Sequence, residues 1–203
     1  MDPLTQGLIG ASAPQLLTPK CRSIAWAGFY GFIAGMAPDL DVLIRSSSDP
    51  LLLLEYHRQF SHSIIFIPIG GLLIAGILHF PFRKKTQFSF RESWIFCTFG
   101  FGTHGLLDSF TSYGTMLWWP FNDDRVALNI VSIVDPLFTI PILLLLCLGV
   151  FRSQKRYSAA ALVWATVYLG VGLMQHERVT NIGYQIAEGR GHSPIRLLAK
   201  PSF

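Results

Sequence analysis

Charged side chains are scarce in this sequence of 203 residues: Asp, Glu, Lys and Arg together make up 14%. An ordinary soluble domain carries about a quarter of its residues as charged side chains. Hydrophobic residues account for 51% of the sequence, and the mean hydropathy is +0.43. This composition excludes an ordinary soluble globular domain and indicates an integral membrane protein.

Cysteine is also scarce, with three residues at positions 21, 97 and 147. None of them belongs to a CxxC or CxxxH pattern, so the sequence predicts neither a disulfide framework nor a thiolate metal site. The formal net charge of +4 comes from short basic clusters between apolar segments. Because that distribution is typical of membrane topology signals, we expect no nucleic-acid partner.

Long apolar runs are plentiful. A run of about 20 mostly apolar residues crosses the hydrocarbon core of a bilayer as a helix, and five segments qualify: 23–44, 63–82, 93–112, 129–151 and 157–175. Residues 4–18 are apolar but short, so we expect a half-length or tilted helix there. The predicted fold is all-α, a polytopic membrane helix bundle of about five spanning helices plus a short N-terminal helix.

Basic residues are distributed unevenly among the connections between these segments. The connections 45–62 and 113–128 hold three basic and four acidic residues. The alternate connections hold one acid, Glu92, and nine basic residues: Lys20, Arg22, Arg83, Lys84, Lys85, Arg91, Arg152, Lys155 and Arg156. The positive-inside rule places this basic set in the cytoplasm and the other connections outside. With this topology, the acidic and histidine residues that are candidates for a functional site fall on the outer side: Asp39, Asp41, His57, His62, His104, Asp108 and Asp135.

Two aspartates lie at the outer end of the first predicted span, in Pro38-Asp39-Leu40-Asp41. Two residues apart on a regular helix, their side chains would point about 200° from each other. Pro38 predicts a break in the helix that lets both carboxylates turn toward one centre. The alternative is a helix end marked by solvated acids.

Histidines and an arginine follow in the next connection. His57 and His62 bracket Arg58 and Ser61. Neutral imidazoles are the commonest metal ligands, and a guanidinium suits a phosphate or carboxylate. We expect Ser61 to cap the helix that begins near His62. The alternative is an interfacial loop with solvated histidines.

Further polar residues lie inside apolar segments. His104 and Asp108 are spaced i, i+4, which puts both on one helix face, and the glycines around them permit close helix approach. They could bind one metal ion, or form a hydrogen bond that holds two helices together. Asp135 lies in an otherwise uncharged run, where a carboxylate is costly unless paired. Asp2 and His176 are further candidates on the same side.

These motifs, in this order, resemble the membrane-bound metal-dependent hydrolase family, the YdjM-like proteins, which includes LexA-regulated inner-membrane hydrolases of bacteria. The resemblance covers roughly residues 1–180 and rests on five motifs: Met1-Asp2-Pro3-Leu4-Thr5, Pro38-Asp39-Leu40-Asp41, His57-Arg58-Gln59-Phe60-Ser61-His62-Ser63, His104-Gly105-Leu106-Leu107-Asp108 with Thr111-Ser112-Tyr113-Gly114, and Asp135-Pro136. The family opening usually continues with His after Thr, where this sequence has Gln6. The resemblance implies hydrolysis that uses a bound metal ion, in the bacterial inner membrane.

Larger members of the family continue into a soluble carboxy-terminal region. We therefore predict a membrane-embedded metal-site domain over residues 1–180 and a polar tail over residues 181–203. The tail is either the end of a short form or the start of such a soluble region.

The working hypothesis is one or two divalent ions, with Zn²⁺ expected and Mn²⁺ as the alternative. The candidate ligands are Asp39, Asp41, His57, His62, His104 and Asp108. Six candidates exceed the three protein ligands of a typical catalytic zinc, which allows two metals or one metal with supporting residues. The metal would activate a water molecule, a carboxylate such as Asp41 or Asp135 would take its proton, and Arg58 would hold an anionic group.

A site in the outer half of the membrane favours an amphiphilic or anionic substrate, for example the ester or phosphoester of a lipid in the surrounding bilayer. Two other classes of protein remain open. A non-catalytic metal-binding membrane protein would share every ligand. An ion- or proton-coupled transporter would also place Asp and His inside helices, although the acidic and histidine motifs show no internal repeat.

The topology can be tested with compartment-specific reporter fusions. A fusion after Lys85 and a fusion after Asp123 should report opposite compartments, because one connection is strongly basic and the other is not. Identical compartments would overturn the grouping of the polar residues on one side.

Overall fold

The computed structural model describes residues 1–19, 23–46, 48–49 and 51–201. Lys20 and Arg22 of the basic set, and Cys21, lie outside the described residues. Within the described ranges, seven α-helices follow one another: α1 Pro3–Leu17, α2 Ile24–Met36, α3 Leu52–Tyr56, α4 Ile67–Thr86, α5 Phe90–Ser109, α6 Pro136–Arg152 and α7 Arg156–Gly189. Three short 3-10 segments join them: Ala37–Leu43, Phe60–His62 and Ile64–Phe66.

The predicted all-α class is confirmed, since the described part of the chain contains no strand beyond an isolated bridge between Thr115 and Val126. Helix α1 lies where the short N-terminal helix was expected. The segment 23–44 forms α2 and then changes at Ala37 into a 3-10 segment, because Pro38 cannot continue the α-helical hydrogen bonds.

The last two helices differ from the expected boundaries. In the segment 129–151, helix begins only at Pro136, where a carboxylate oxygen of Asp135 accepts a hydrogen bond from the Phe138 N–H at 3.1 Å. Helix α7 continues past residue 175 to Gly189, into the segment predicted as a polar tail.

Two helical segments among the described residues are long and apolar enough to cross a membrane by length and composition: Ile64–Thr86 and Arg156–Gly189. The expected count of about five spans is therefore not confirmed. Helix α2 stops after 13 residues, and the apolar helix α6 has 17. Helix α5 is long enough but carries polar residues at both ends, which lowers its mean hydropathy: Arg91, Glu92, His104 and Asp108.

Helices α1, α2 and α5 approach each other at backbone contact distance through three glycines. A Cβ atom on Gly31 would lie closer than 3.0 Å to the Gly10 carbonyl oxygen, and one on Gly100 would lie equally close to the Gly31 carbonyl oxygen. Small residues at such crossings are typical of helices packed in a membrane. The close approach of α2 and α5 brings the Gly35 carbonyl oxygen to 2.5 Å from Nδ1 of His104.

Two apolar clusters of buried residues hold the helices together. One packs α1 against α6 and α7 around Phe138 and Ile142, and the other packs α2 against α4 and α5 around Tyr30 and Phe96. The end of α2 and the last turns of α5 therefore have fixed positions relative to each other, and a polar site lies at these ends.

Substituting Gly31 by Ala tests this contact. We expect Gly31→Ala to lower the free energy of unfolding by about 1–3 kcal/mol, because the added methyl group overlaps a backbone carbonyl that cannot move aside. In α4, a Cβ atom added to Gly76 would meet no atom within 4 Å, so Gly76→Ala is the matched control. It should leave stability unchanged or raise it by up to about 1 kcal/mol. Thermal unfolding in detergent would measure both, and equal effects would contradict the contact.

Candidate metal centre

Four side chains each place one potential ligand atom near the others, and we call Asp39, His62, His104 and Asp108 the metal cluster. These atoms all lie within 4.8 Å of one another. Nε2 of His104 lies 3.2 Å from Oδ1 of Asp39 and 3.8 Å from Oδ2 of Asp108. Nε2 of His62 lies 3.5 Å from each of the same two oxygens. Ligand atoms bound to a tetrahedral zinc ion at about 2.0–2.1 Å are about 3.3 Å apart, so the spacing fits one divalent ion.

Two atoms of the metal cluster are buried without a hydrogen-bond partner: Nε2 of His62 and Oδ2 of Asp108. The side chains of both residues are fully buried. Buried polar atoms are nearly always hydrogen-bonded, and an unsatisfied one costs about 1–3 kcal/mol. A bound cation would satisfy both atoms, so the residues present fit a metal ion.

Hydrogen bonds orient the two imidazoles of the metal cluster. Nδ1 of His104 lies 2.5 Å from the Gly35 carbonyl oxygen, which can only accept, so this nitrogen carries the proton. Ser61 donates its hydroxyl proton to Oδ2 of Asp41 at 2.7 Å and can therefore accept from Nδ1 of His62 at 2.9 Å. Both rings then present Nε2 to the cluster. Such partners on the far nitrogen fix the orientation of histidine ligands in metal sites.

The metal cluster also attracts positive charge. Burial of the His62 imidazole lowers its pKa, but the carboxylates of Asp108, Asp39 and Asp41 outweigh burial and raise the pKa of His62 to about 10. Either a proton on His62 or a divalent cation supplies the positive charge that these carboxylates favour.

Asp108 is held by residues of α1 and the chain start. Its Oδ1 accepts a hydrogen bond from Nε2 of Gln6 at 2.8 Å and contacts the amino group of Met1, which leaves Oδ2 turned toward the metal cluster. Gln6 is fully buried. The sequence patterns did not predict a role for Gln6. Its position was nevertheless a signal that it belongs to the site, because the family usually has His there. In this structure Gln6 orients Asp108, a candidate ligand.

A second group of candidate ligands lies next to the first. Asp39, Asp41 and His57 also place three ligand atoms within 4.8 Å of one another. However, Oδ1 of Asp41 is 2.7 Å from Nδ1 of His57, and Oδ2 accepts from the Ser61 hydroxyl and from the Arg58 backbone N–H at 3.0 Å. Asp41 is therefore placed to position its neighbours. The expected helix cap at Ser61 is wrong, because this hydroxyl bonds to Asp41 and neither adjoining 3-10 segment has a side-chain cap.

Arg58 has a left-handed backbone, with φ of 65°. Such a conformation costs a non-glycine residue about 1–3 kcal/mol. Two hydrogen bonds hold it: the N–H donates to Asp41, and the carbonyl oxygen accepts from the Met116 N–H at 3.1 Å. The side chain is nearly buried, with Nε 3.2 Å from Oδ2 of Asp108 and the guanidinium 5.3 Å from the centre of the Tyr113 ring.

Arg58 also faces a cavity of about 460 Å³ whose lining residues are His57, Arg58, Tyr113 and Arg125. No spacing pattern in the sequence links His57 to Arg125, which lie 68 residues apart. The cavity is next to the metal cluster, because Arg58 lines the one and contacts Asp108 in the other.

The remaining candidates have other partners. Besides capping α6, Asp135 accepts a hydrogen bond from the Tyr168 hydroxyl at 2.7 Å, and none of its described contacts involves the metal cluster. These contacts give Asp135 a structural role, and its role as a base stays a prediction. Asp2 caps α1 through Thr5, and His176 lines a separate cavity that Asp135 also lines.

Fold and site define the class: an all-helical membrane protein with a buried cluster of His and Asp that could hold a metal ion. Residues 1–179 match the family described as YdjM inner membrane protein, and the chain belongs to this family. It is similar to the inner membrane protein YbcI of Escherichia coli strain K12, with 34% identity over 99 residues, 48% of this chain and 55% of YbcI. The chain thus spans about half the length of this relative. No solved structure matches it.

The match confirms the family expected from the sequence and supports the expected location in a membrane. The sequence predicted a bound metal ion, and the structure contains a cluster of His and Asp that could hold one.

Metal content provides the direct test of the cluster. His62→Ala and His104→Ala should each lower the zinc bound per chain, because each substitution removes one of four converging ligand atoms. Purified protein, loaded with Zn²⁺ and freed of excess, would be measured by inductively coupled plasma mass spectrometry. His192, exposed in the tail, gives the control His192→Ala. Wild-type stoichiometry in both cluster variants would remove these histidines as ligands.

Proposed function

We propose that the protein is a membrane-embedded metal-dependent hydrolase that cleaves an ester or phosphoester, for example of a lipid, with water. One divalent ion, with Zn²⁺ expected, would be held by Asp39, His62, His104 and Asp108. The observation that carries this proposal is the pair of buried, unpartnered ligand atoms, Nε2 of His62 and Oδ2 of Asp108, lying 3.5 Å apart. Oδ2 also lies 3.2 Å from Nε of Arg58, but none of these atoms forms a hydrogen bond with another, so a bound cation would satisfy both ligand atoms.

Access to the metal cluster also supports a reaction there. The Asp39 side chain is 26% exposed, whereas the His62 side chain is fully buried. Solvent therefore reaches the cluster from the side of Asp39. A catalytic zinc keeps a position for water beside its protein ligands, and the ion can expand to five ligands.

When bound, a divalent ion would act as a Lewis acid and lower the pKa of a water molecule toward 7. We assign the proton transfer to His57, with Asp41 orienting it, in place of Asp41 itself. His57 lines the cavity and its side chain is 28% exposed, while Asp41 is 1% exposed and both of its oxygens already accept hydrogen bonds. A His oriented by a carboxylate through Nδ1 is a common arrangement for general acid–base catalysis.

Arg58 supplies positive charge to the same cavity. Its backbone is held by Asp41 and Met116, and its guanidinium lies against the Tyr113 ring, so the side chain has little freedom. We assign it the binding of an anionic group of the substrate.

We further propose that the apolar segments together cross the bacterial inner membrane five times, with the metal cluster toward the outer side. The distribution of basic residues places the end of α2, the segment before α4 and the last turns of α5 on the outer side. Residues from these three places meet in the metal cluster. Helix α7 has 34 residues and is about 51 Å long at 1.5 Å per residue, against a hydrocarbon thickness of about 30 Å. Its C-terminal part would therefore extend beyond the bilayer.

The hydrolase proposal is tested by activity with and without a chelator. Zinc-loaded protein should hydrolyse at least one of three substrates, p-nitrophenyl acetate, p-nitrophenyl phosphate or a phospholipid, and EDTA should abolish the activity until zinc is restored. Zinc-bound protein that hydrolyses none of them would point to a non-catalytic metal-binding protein.

Two substitutions separate the proposed roles of His57 and Asp41. His57→Asn should lower kcat by about 10²–10⁴-fold with unchanged zinc content, because it removes the proton acceptor and no ligand. Asp41→Asn should weaken zinc affinity by about 10–100-fold, because it disturbs the hydrogen bond that orients His62. Loss of zinc in His57→Asn would instead identify His57 as a ligand.

A further inference from the structure

The cavity beside the metal cluster is lined by polar side chains. Two are guanidinium groups, from Arg58 and Arg125, and the others are the His57 imidazole and the Tyr113 ring. Arg125 donates a hydrogen bond from Nη2 to the carbonyl oxygen of His57 at 3.1 Å, which places this arginine at the same wall as His57. A cavity with two guanidinium groups favours an anion.

Arg58 and Arg125 are near enough for the charge of Arg58 to affect the pKa of Arg125. Partial burial and the positive charge of Arg58 both lower the pKa of Arg125. Two cations held near each other repel, and an anion bound between them would replace that repulsion with attraction.

Arg58 also has an unsatisfied donor. Its Nε is buried and has no hydrogen-bond partner, although Oδ2 of Asp108 lies 3.2 Å away. The Arg58 side chain is 9% exposed. If Oδ2 of Asp108 binds a divalent cation, this carboxylate no longer neutralises the positive charge of Arg58. A second anion beside the cation would restore the balance.

We propose that Arg58 and Arg125 form a binding site for the phosphate group of a phosphoester substrate. The proposal rests on the proposed hydrolase function, since the cleaved bond must lie near the metal cluster. A phosphate monoester carries a charge of about −1.5 to −2 and three acceptor oxygens, enough for two guanidinium groups, whereas a carboxylate carries one charge. The cavity of about 460 Å³ also leaves room for the group esterified to the phosphate.

Binding of inorganic phosphate to the whole chain tests this site. Zinc-loaded protein in nanodiscs would be titrated with phosphate by calorimetry, with the zinc content of every sample measured. We expect wild-type protein to bind phosphate and Arg125→Gln to bind it at least about tenfold more weakly, since it loses a charge-assisted contact. Arg125 is exposed, so this variant should fold. Arg58→Lys, which keeps the charge but removes the guanidinium donors, should also weaken binding.

Arg45 gives a charge-matched control. It is exposed and its side chain contacts the carbonyl oxygen of Val42, away from the cavity. Arg45→Gln should bind phosphate as wild-type protein does. Equal phosphate affinity in Arg125→Gln and wild-type protein, or no phosphate binding by zinc-loaded wild-type protein, would overturn the phosphate site while leaving the metal proposal intact. Absence of zinc from wild-type protein would overturn the hydrolase instead.

The phosphate could belong to a lipid or to a soluble molecule, and competition separates these sources. Glycerol 3-phosphate in solution and phosphatidic acid in the nanodisc bilayer would each be tested for displacement of inorganic phosphate. Displacement by either supports the phosphoester proposal and identifies the source by the stronger competitor. If neither displaces phosphate, the cavity binds an adventitious ion only and the proposed substrate class is wrong.

Discussion

Burial of charge at the end of an apolar helix bundle is the constraint on which the site depends. Carboxylates removed from water are costly unless cations or hydrogen-bond donors surround them. The structure provides such partners: Asp41 accepts from Ser61 and from the Arg58 backbone, and Asp108 accepts from Gln6. Among the buried polar atoms that lack a hydrogen bond are Nε2 of His62 and Oδ2 of Asp108, which lie 3.5 Å apart, so a cation bound between them could satisfy both.

Close helix packing sets the distances between the residues of the site. Gly31 and Gly100 let α2 and α5 touch, which places the Gly35 carbonyl oxygen on Nδ1 of His104. At Gly105, a Cβ atom would lie closer than 3.0 Å to the His62 carbonyl oxygen. The absence of a side chain there lets the segment Phe60–His62 lie on α5, with the rings of His62 and His104 4.6 Å apart. The separation of the candidate ligands is therefore set by glycines, which have no functional side chain.

Local patterns in the sequence predicted the parts of the site that depend on short spacings. The i, i+4 pair His104 and Asp108 does share one helix face, with Nε2 and Oδ2 3.8 Å apart. Pro38 does end the α-helix, but the two aspartates then take different partners: Asp39 faces the metal cluster and Asp41 faces His57 and Ser61.

Contacts across long stretches of chain could not be predicted in this way. Gln6 meets Asp108 across 102 residues, and Arg125 meets His57 across 68. Hydrophobic periodicity and spacing report which face of one helix is apolar or polar. They do not report which two helix ends meet. The expected boundaries of the spans differ from the helices for a related reason, because apolar composition does not show where a helix such as α2 stops.

The same contacts favour one metal ion over two. A second ion bound by Asp39, Asp41 and His57 would have to displace the hydrogen bonds that Asp41 receives from Ser61 and from the Arg58 N–H, and the contact between Asp41 and His57. The Arg58 backbone would then lose one of the two bonds that hold its left-handed conformation. When Asp41 binds no metal ion, it positions His62 through the Ser61 hydroxyl. It also positions Arg58 by accepting a hydrogen bond from the Arg58 N–H. One carboxylate thus couples His62, a candidate metal ligand, to Arg58 of the adjoining cavity, so the orientation of the candidate ligand and that of the proposed anion-binding group are set together.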